Sequence, residues 1–205
     1  MSTDFDARAR TWDEDPAKHE RARRVADAIA ADVPDLSTRS VLDYGCGTGL
    51  LGFALRPLVA QVTFADASRE MLAVVEEKIA KCGAGGAATL LLDLAKEPPP
   101  SKRYDLLCTL MTLHHVPDVD RMLRAFHTVL APGGLLCISD LDAEDGSFHG
   151  PGFDGHRGFL RGDLAARLDR AGFGPTPFST PCEVVKVTEA GPVRFPLFLA
   201  IARRA

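Results

Sequence analysis

The chain lacks features that would mark several classes of protein. Its 205 residues carry 24 Lys and Arg against 28 Asp and Glu, a formal net charge of −4, so it has no general excess of positive charge for holding phosphates. No apolar run approaches the roughly 18–20 residues of a membrane span, and the first residues contain no hydrophobic signal segment. We therefore expect no nucleic-acid partner and no membrane partner.

Cysteine is sparse and scattered along the chain. The five cysteines, at positions 46, 82, 108, 137 and 182, form no C-x-x-C pair, and their number is odd. Disulfide scaffolds and zinc modules show paired or regularly spaced cysteines. The pattern predicts a reduced protein of the cytoplasm, and its spacing indicates no metal site.

Apolar runs alternate with amphipathic segments over most of the chain, which is 46% hydrophobic and 25% charged. Strands are predicted at 40–42, 61–65, 87–92, 104–110, 135–139, 184–187 and 195–202. Helices are predicted at 17–33, 50–58, 68–82, 118–130 and 160–171. This order predicts an α/β three-layer sandwich with a seven-stranded, mostly parallel Rossmann-like sheet that ends in an antiparallel β-hairpin.

A glycine-rich turn follows the first predicted strand. Val41–Gly49 reads VLDYGCGTG, and strand, glycine turn and helix form the first unit of a nucleotide-binding βαβ. The glycines also satisfy the dinucleotide fingerprint G-x-G-x-x-G, but there a pyrophosphate meets the helix N-terminus. Asp43, two residues before the first glycine, would repel that anion. A ligand with a cationic amine and a sulfonium beside an adenosine would be attracted instead.

This stretch resembles the first motif of class I S-adenosylmethionine-dependent methyltransferases, whose acidic residue lies near the methionine amino group. The resemblance implies that Asp43 has that role and that Gly45, Cys46 and Gly47 form the cofactor loop. The alternative is an ordinary tight turn with an Asp cap.

Two further acidic positions extend the resemblance toward an adenosine site. Asp66-Ala67 resembles the family's second motif, which implies that Asp66 accepts hydrogen bonds from ribose hydroxyls and that Met71 packs on adenine; the alternative for Asp66 is a helix N-terminal acid. Asp93-Leu94 corresponds to the position where a side chain meets the adenine amine and the next backbone amide a ring nitrogen. Asp93 is alternatively a turn residue.

The end of the fourth strand resembles the small-molecule methyltransferase pattern that closes with His-His-Val-Pro-Asp. The resemblance implies that Thr109 and Leu110 flank the cofactor, and His114 is the catalytic candidate, able to take a proton from an acceptor hydroxyl or amine. Structural roles are the alternative for both histidines, and we favour one for His115. Asp105, at the start of that strand, is predicted to be a structural acid far from the ligand.

Aromatic residues from both ends of the chain are predicted to cover the site. Phe5–Asp13 resembles the family's N-terminal lid, in which Trp12, the only tryptophan, would cover the cofactor or act as a packing anchor. The loop at 142–158 and its flank add further rings that could wall an acceptor pocket and exclude water: Phe148, His149, Phe153, His156 and Phe159.

Two kinds of methyltransferase chemistry are disfavoured. The Asn-Pro-Pro-Tyr and Asp-Pro-Pro-Tyr signatures of nucleic-acid amino methyltransferases are absent from the fourth strand end. Metal-assisted catechol chemistry needs a carboxylate there, and 109–112 supplies none. The acids after the fifth strand, Asp140, Asp142, Glu144 and Asp145, are therefore interpreted mainly as a solvated loop.

These observations predict one methyltransferase domain, 1–205, with an N-terminal lid and helix (1–35), a cofactor-binding core (36–142) and an acceptor-side loop, helix and closing hairpin (143–205). The predicted reaction is methyl transfer from S-adenosyl-L-methionine to a small-molecule acceptor by direct in-line displacement. The alternatives are a non-catalytic S-adenosylmethionine-binding regulator and an NAD(P)-dependent oxidoreductase. Both a monomer and a homodimer are compatible with the sequence.

Overall fold

The fold is built around one seven-stranded sheet. The computed structural model describes residues 2–83, 85–188 and 191–205. The strands are β1 (Ser40–Tyr44), β2 (Gln61–Asp66), β3 (Ala87–Leu91), β4 (Tyr104–Leu110), β5 (Leu130–Leu141), β6 (Phe178–Thr188) and β7 (Gly191–Arg203). Their order across the sheet is β3-β2-β1-β4-β5-β7-β6. The first five pair in parallel and β7 runs antiparallel between β5 and β6, which confirms the predicted sheet and closing hairpin.

Helices cover both faces of the sheet. They are α1 (Ser2–Arg8), α2 (Pro16–Asp32), α3 (Leu50–Leu55), α4 (Arg69–Cys82), α5 (Val119–Val129) and α6 (Arg161–Arg170). Residues of α2, α3 and α4 share one apolar cluster with alternate strand residues such as Val41 and Leu106. Residues of α5 and α6 share the other cluster with Leu42 and Leu107. Because neighbouring strand residues point to opposite faces, the two clusters make three layers.

The helix and strand bounds differ from the sequence prediction mainly around β5 and the hairpin. The predicted break at Pro132-Gly133-Gly134 is a bulge inside β5, because Tyr104 pairs with Leu130 and Leu106 already pairs with Leu135. Gly133 has φ +73° and Pro132 has no backbone N–H, so neither continues the ladder. β6 and β7 are longer than predicted. The prediction was too short because prolines and charged residues interrupt the apolar alternation of both strands. Residues 189–190, between these two strands, lie outside the described residues.

The parallel strands bring five loops to one edge of the sheet. The segments after β1, β2, β3, β4 and β5 all leave from its carboxyl edge, where open α/β sheets bind ligands. Asp105 lies at the opposite edge, where its carboxylate accepts hydrogen bonds from the Ser40 backbone N–H (2.9 Å) and hydroxyl (2.7 Å). This confirms its structural role. Within the described ranges, no helix is both long and apolar enough to cross a membrane.

Candidate active site at the carboxyl edge of the sheet

The glycine loop is anchored to β2 and closely packed on one side. The backbone N–H groups of Gly45 and Cys46 donate to the Ala65 carbonyl at 2.8 and 3.1 Å. Gly45 has φ +66°, and a Cβ there would lie 2.3 Å from Cγ2 of Thr112. Both the backbone conformation and the lack of space therefore disfavour a side chain at this position. Gly47 also has positive φ, but a Cβ there would meet only Met71 Sδ at 3.9 Å and Trp12 Nε1 at 4.0 Å. Gly47 therefore borders the more open side of the loop.

Asp43 lies beneath this loop and is almost completely buried, with 1% exposure. Its Oδ2 accepts a hydrogen bond from the Gly52 N–H at 2.9 Å, and the Cys108 thiol lies 3.8 Å from Oδ1. Burial raises the pKa of the carboxyl to about 7. A nearby cation would favour the ionised form, so the charge of Asp43 depends on what the site holds. Through Gly52, Asp43 binds the first turn of α3, whose N-cap residue is Gly49, and this bond does not exclude a role toward a cationic ligand.

Asp66 joins the glycine loop to the start of α4. Its Oδ2 accepts from the Gly47 N–H at 2.7 Å and its Oδ1 from the Ser68 N–H at 2.9 Å. Ala67 is exposed beside it, and Met71 is buried one turn along the helix. Burial raises the pKa of Asp66. Each carboxylate oxygen keeps a second acceptor site, so both roles considered for Asp66 are compatible with this geometry.

The segment after β3 is only partly arranged as predicted. Asp93 Oδ1 accepts from the Ala95 N–H at 3.1 Å, and Oδ2 lies 2.9 Å from Lys96 Nζ. The Leu94 N–H, predicted to meet an adenine nitrogen, donates instead to the Tyr44 hydroxyl at 3.1 Å. It is therefore not available to a ligand in this conformation, because an N–H has one proton to donate.

The N-terminal segment lies over the glycine loop. Asp6 accepts a hydrogen bond from the Ser68 hydroxyl, and Asp13 pairs with both the Thr48 hydroxyl and Lys78 Nζ, each contact 2.5 Å long. Trp12 is next to Gly47, and Lys18 Nζ lies over its ring, 3.8 Å from the centroid. The sequence suggested the lid through Trp12, but it did not single out Asp13 or Lys78, whose pairing is visible only once α4 is placed.

A histidine–aspartate pair lies beyond the end of β4. His114 Nδ1 is 2.6 Å from Asp140 Oδ1, and the His114 backbone N–H donates to Oδ2 at 3.2 Å. Both side chains are buried, with 1% and 0% exposure. Within the described part of the chain, His114 Nε2 has no hydrogen-bond partner. The interpretation of Asp140 as a solvated loop acid is therefore wrong, since the β5 register carries it into the core beside β4.

The strand end that leads to this pair has unusual backbone and side-chain features. Met111 has φ +55°, a left-handed conformation that is costly for a side chain and is often found at functional sites. Thr109 is buried and, among the described residues, its hydroxyl has no partner. Leu110 follows, half-buried and paired with Ser139 on β5. Thr112 donates to the Gly45 carbonyl at 3.2 Å, which joins the histidine segment directly to the glycine loop.

Two more histidines complete an imidazole cluster, which we define as His114, His115 and His149. The ring centroid of His115 is 4.1 Å from that of His114, and the centroid of His149 is 5.0 Å from it. Burial lowers the pKa of His115 and of His149 to about 4, so both rings are neutral at pH 7. Phe153 stacks on His149 at 3.8 Å between centroids, and Phe5 of the lid meets His115 edge-on at 5.2 Å.

The predicted aromatic wall is therefore only partly assembled here. His149 belongs to the imidazole cluster and Phe153 stacks on it, while Phe148 packs on His149 and on Phe195 of β7. His156 instead bonds the Val116 carbonyl at 3.0 Å through Nε2, and Phe159 packs in the core. No sequence signal distinguished these two from the others, because the loop lacks periodicity.

Sequence comparison identifies relatives. A family model described as a methyltransferase domain matches residues 17–176. The ubiquinone biosynthesis O-methyltransferase of Xanthomonas campestris pv. campestris (strain B100) is 36% identical over 144 residues, which are 68% of this chain and 59% of that protein. The chain spans about half the length of the curated relatives it matches. These matches disfavour the NAD(P)-dependent oxidoreductase alternative.

Solved structures show the same fold. The magnesium protoporphyrin IX methyltransferase of Synechocystis PCC 6803, solved with bound S-adenosylmethionine, superposes with a TM-score of 0.63 at 21% identity, over 92% of this chain and 80% of that one. An S-adenosylmethionine-dependent methyltransferase from Aquifex aeolicus gives 0.65 at 20% identity, over 93% and 99%. At this identity the likeness concerns the fold.

Proposed function

The chain belongs to the methyltransferase domain family, with S-adenosylmethionine as its cofactor, and from that premise we propose that it methylates a small molecule by direct in-line displacement. The observation that carries the proposal is the position of the imidazole cluster. Thr112 ties its segment to the glycine loop, and Phe5 of the lid contacts both Trp12 (5.9 Å) and His115. An acceptor held by these rings would lie beside the cofactor.

The cofactor-binding roles implied by the resemblance are part of this proposal. Around the methionine part of the cofactor we assign the glycine loop with Asp43, and around the ribose Asp66 and Ala67. The remaining assigned positions meet the adenine or cover the cofactor: Met71, Asp93, Leu94, Thr109, Leu110 and Trp12. For Leu94 the backbone amide must first leave the Tyr44 hydroxyl.

Methyl transfer to a nucleophile is a displacement at the sulfonium, so the protein has to position the acceptor, exclude water and remove a proton where the acceptor carries one. We assign proton removal to His114. Its Nδ1 faces Asp140, which favours the tautomer with hydrogen on Nδ1 and leaves the Nε2 lone pair free to accept a proton. Asp140 acts on the imidazole and is a positioning residue. No covalent intermediate with the enzyme is required.

A hydroxyl is the acceptor group to test first. The Xanthomonas relative is named an O-methyltransferase, and a hydroxyl carries the proton that His114 would remove. All five cysteines are unpaired, in keeping with the reducing cytoplasm as its setting. The proposed site is assembled from one chain, so the proposal does not require a second protomer.

The test is a methyl-transfer assay with labelled S-adenosylmethionine over a panel of phenols, hydroxy acids and amines. We expect transfer to at least one small acceptor and none to duplex DNA or RNA. Cofactor binding with no transfer to any member of a broad panel would favour the non-catalytic regulator. Transfer only to nucleic acid or protein would overturn the small-molecule assignment.

Trp12 offers a direct reporter of cofactor binding, since it is the only tryptophan and borders Gly47. We expect S-adenosylmethionine to change the intrinsic tryptophan fluorescence with a saturable dependence on concentration. Trp12→Phe should remove the signal and weaken binding by several-fold, while Phe178→Leu, far out on β6, should change neither. An unchanged emission spectrum at saturating cofactor would place Trp12 away from the ligand.

Asp66→Ala is expected to weaken S-adenosylmethionine binding by tenfold or more, because the cofactor loses a ribose acceptor and Gly47 loses its partner. Asp66→Asn should recover part of the loss, since the amide oxygen can still accept from Gly47. Isothermal titration calorimetry measures both affinities. Wild-type affinity in Asp66→Ala would show that Asp66 acts only within the protein.

A further inference from the structure

The imidazole cluster has the composition and compactness of a metal site. One ring nitrogen from each of His114, His115 and His149 lies within 4.8 Å of the other two. Ligands about 2.0–2.1 Å from a tetrahedral zinc ion lie about 3.4 Å from one another. The nitrogens would have to approach by at most about 1.4 Å. His149 lies exposed on the loop at 142–158, with its ring stacked on Phe153 at 3.8 Å between centroids.

The buried member of the cluster is already arranged as a ligand. Metal-binding histidines usually donate their other ring N–H to a carboxylate, which orients the ring. His114 has this arrangement, with Nδ1 on Asp140 and a buried Nε2 that has no partner within the described ranges. Buried polar nitrogens are nearly always paired, so this atom calls for an additional group.

The donor set selects among ions. Three imidazoles suit Zn²⁺, Co²⁺, Ni²⁺ and Cu²⁺, whereas Mg²⁺ and Ca²⁺ prefer oxygen ligands. The nearest carboxylate, Asp140, is already engaged by His114 and by the Leu141 N–H. We propose that His114, His115 and His149 bind one divalent transition-metal ion of the zinc class.

Metal binding has a consequence for methyl transfer. The neutral His114 ring has one lone pair at Nε2, and a metal ion and a proton would compete for it. The metal-loaded protein is therefore expected to lose turnover, and chelation should restore it. This consequence rests on the proposed function, but the binding site itself does not.

The experiment is a titration of the cofactor-free protein with Co²⁺, whose visible absorption reports tetrahedral nitrogen ligation, followed by displacement with Zn²⁺ in calorimetry. We expect one equivalent to bind, with no response to Mg²⁺. His149→Ala should lower the affinity by at least about tenfold, and so should His115→Ala. The control, His127→Gln, changes a histidine on α5 outside the cluster and should bind like the wild type.

His149→Ala changes an exposed loop residue, so a retained circular dichroism spectrum separates lost ligation from lost folding. Wild-type affinity in both His149→Ala and His115→Ala would overturn the site. A wild-type protein that binds no Co²⁺, or binds it with a stoichiometry far from one, would overturn it as well. Because these measurements use neither cofactor nor acceptor, failure of the metal site leaves the methyl-transfer proposal standing. Failure of methyl transfer likewise leaves the metal site standing.

Discussion

Asp43→Asn is expected to weaken S-adenosylmethionine binding by tenfold or more and, at the same time, to leave the cofactor-free protein as stable as the wild type or more stable at pH 8. The wild-type carboxyl is buried with a pKa of about 7, so above that pH the folded protein holds a buried negative charge. The cationic cofactor benefits from that charge. The empty protein does not, because burial without a cation disfavours ionisation.

The pH dependence has a definite sign. The pKa is higher in the folded chain than the usual Asp value of about 3.9, so between roughly pH 4 and 7 the folded state binds more protons than the unfolded state. The free energy of unfolding contributed by Asp43 is therefore greatest at low pH and falls as pH rises. Between pH 5 and pH 8 the fall is about 3 kcal/mol, at about 1.4 kcal/mol per pH unit up to the pKa.

Asparagine removes this dependence while its amide oxygen can still accept from the Gly52 N–H. Its new N–H₂ group meets only the weakly accepting Cys108 thiol, at a cost of about 1–3 kcal/mol. We therefore expect the variant to be less stable than the wild type at pH 5 and as stable or more stable at pH 8. Urea unfolding at the two pH values measures the difference, with Asp105→Asn as a control acid at the other edge. Parallel pH dependence in Asp43→Asn and wild type would contradict the argument.

His114→Ala is expected to lower turnover by about 10²–10⁴-fold, the usual contribution of a general base, while S-adenosylmethionine affinity stays within a few-fold. The loss should shrink as pH approaches the pKa of the acceptor hydroxyl, because the acceptor then ionises without help. Added imidazole should restore part of the rate, since the substitution leaves a space of its size. Assays with a chelator present keep metal binding out of the comparison.

Asp140→Asn tests the positioning part of the same prediction. An amide at this place can donate to Nδ1 and so favours the tautomer whose Nε2 carries the hydrogen, which cannot accept a proton. We expect a lower maximal rate with little change in the Michaelis constant of the acceptor. Imidazole should not rescue this variant, because His114 still fills the site. Wild-type turnover in both His114→Ala and Asp140→Asn would exclude the pair from catalysis.

Several of these residues were open to prediction because their signal is local. Asp43, Gly45 and Gly47 stand within five positions of one another, and the turn that they form depends on backbone geometry that glycine permits. Asp66 follows a strand that its apolar run identifies. The resemblance to the family motifs then implied ligand-binding roles for Asp43 and Asp66 that the spacing of the residues alone does not give.

Other residues carried no such signal. His149 lies in a loop without periodicity, and Asp140 was grouped with acids that are partly or largely solvated. Asp13 was part of the predicted lid with no contact assigned to it, although its carboxylate pairs with Lys78 on α4. Each of these contacts joins segments far apart in the chain.

The sequence by itself determined the parallel core, the closing hairpin and the glycine loop, because apolar periodicity and glycine placement act over a few residues. The tertiary structure alone decided that His114 meets Asp140, 26 positions away, and that His149 closes the imidazole cluster. It also decided that the Leu94 amide is held by Tyr44. The physical reason is that strand register and loop closure, which depend on packing of the whole sheet, choose which distant side chains share a buried space.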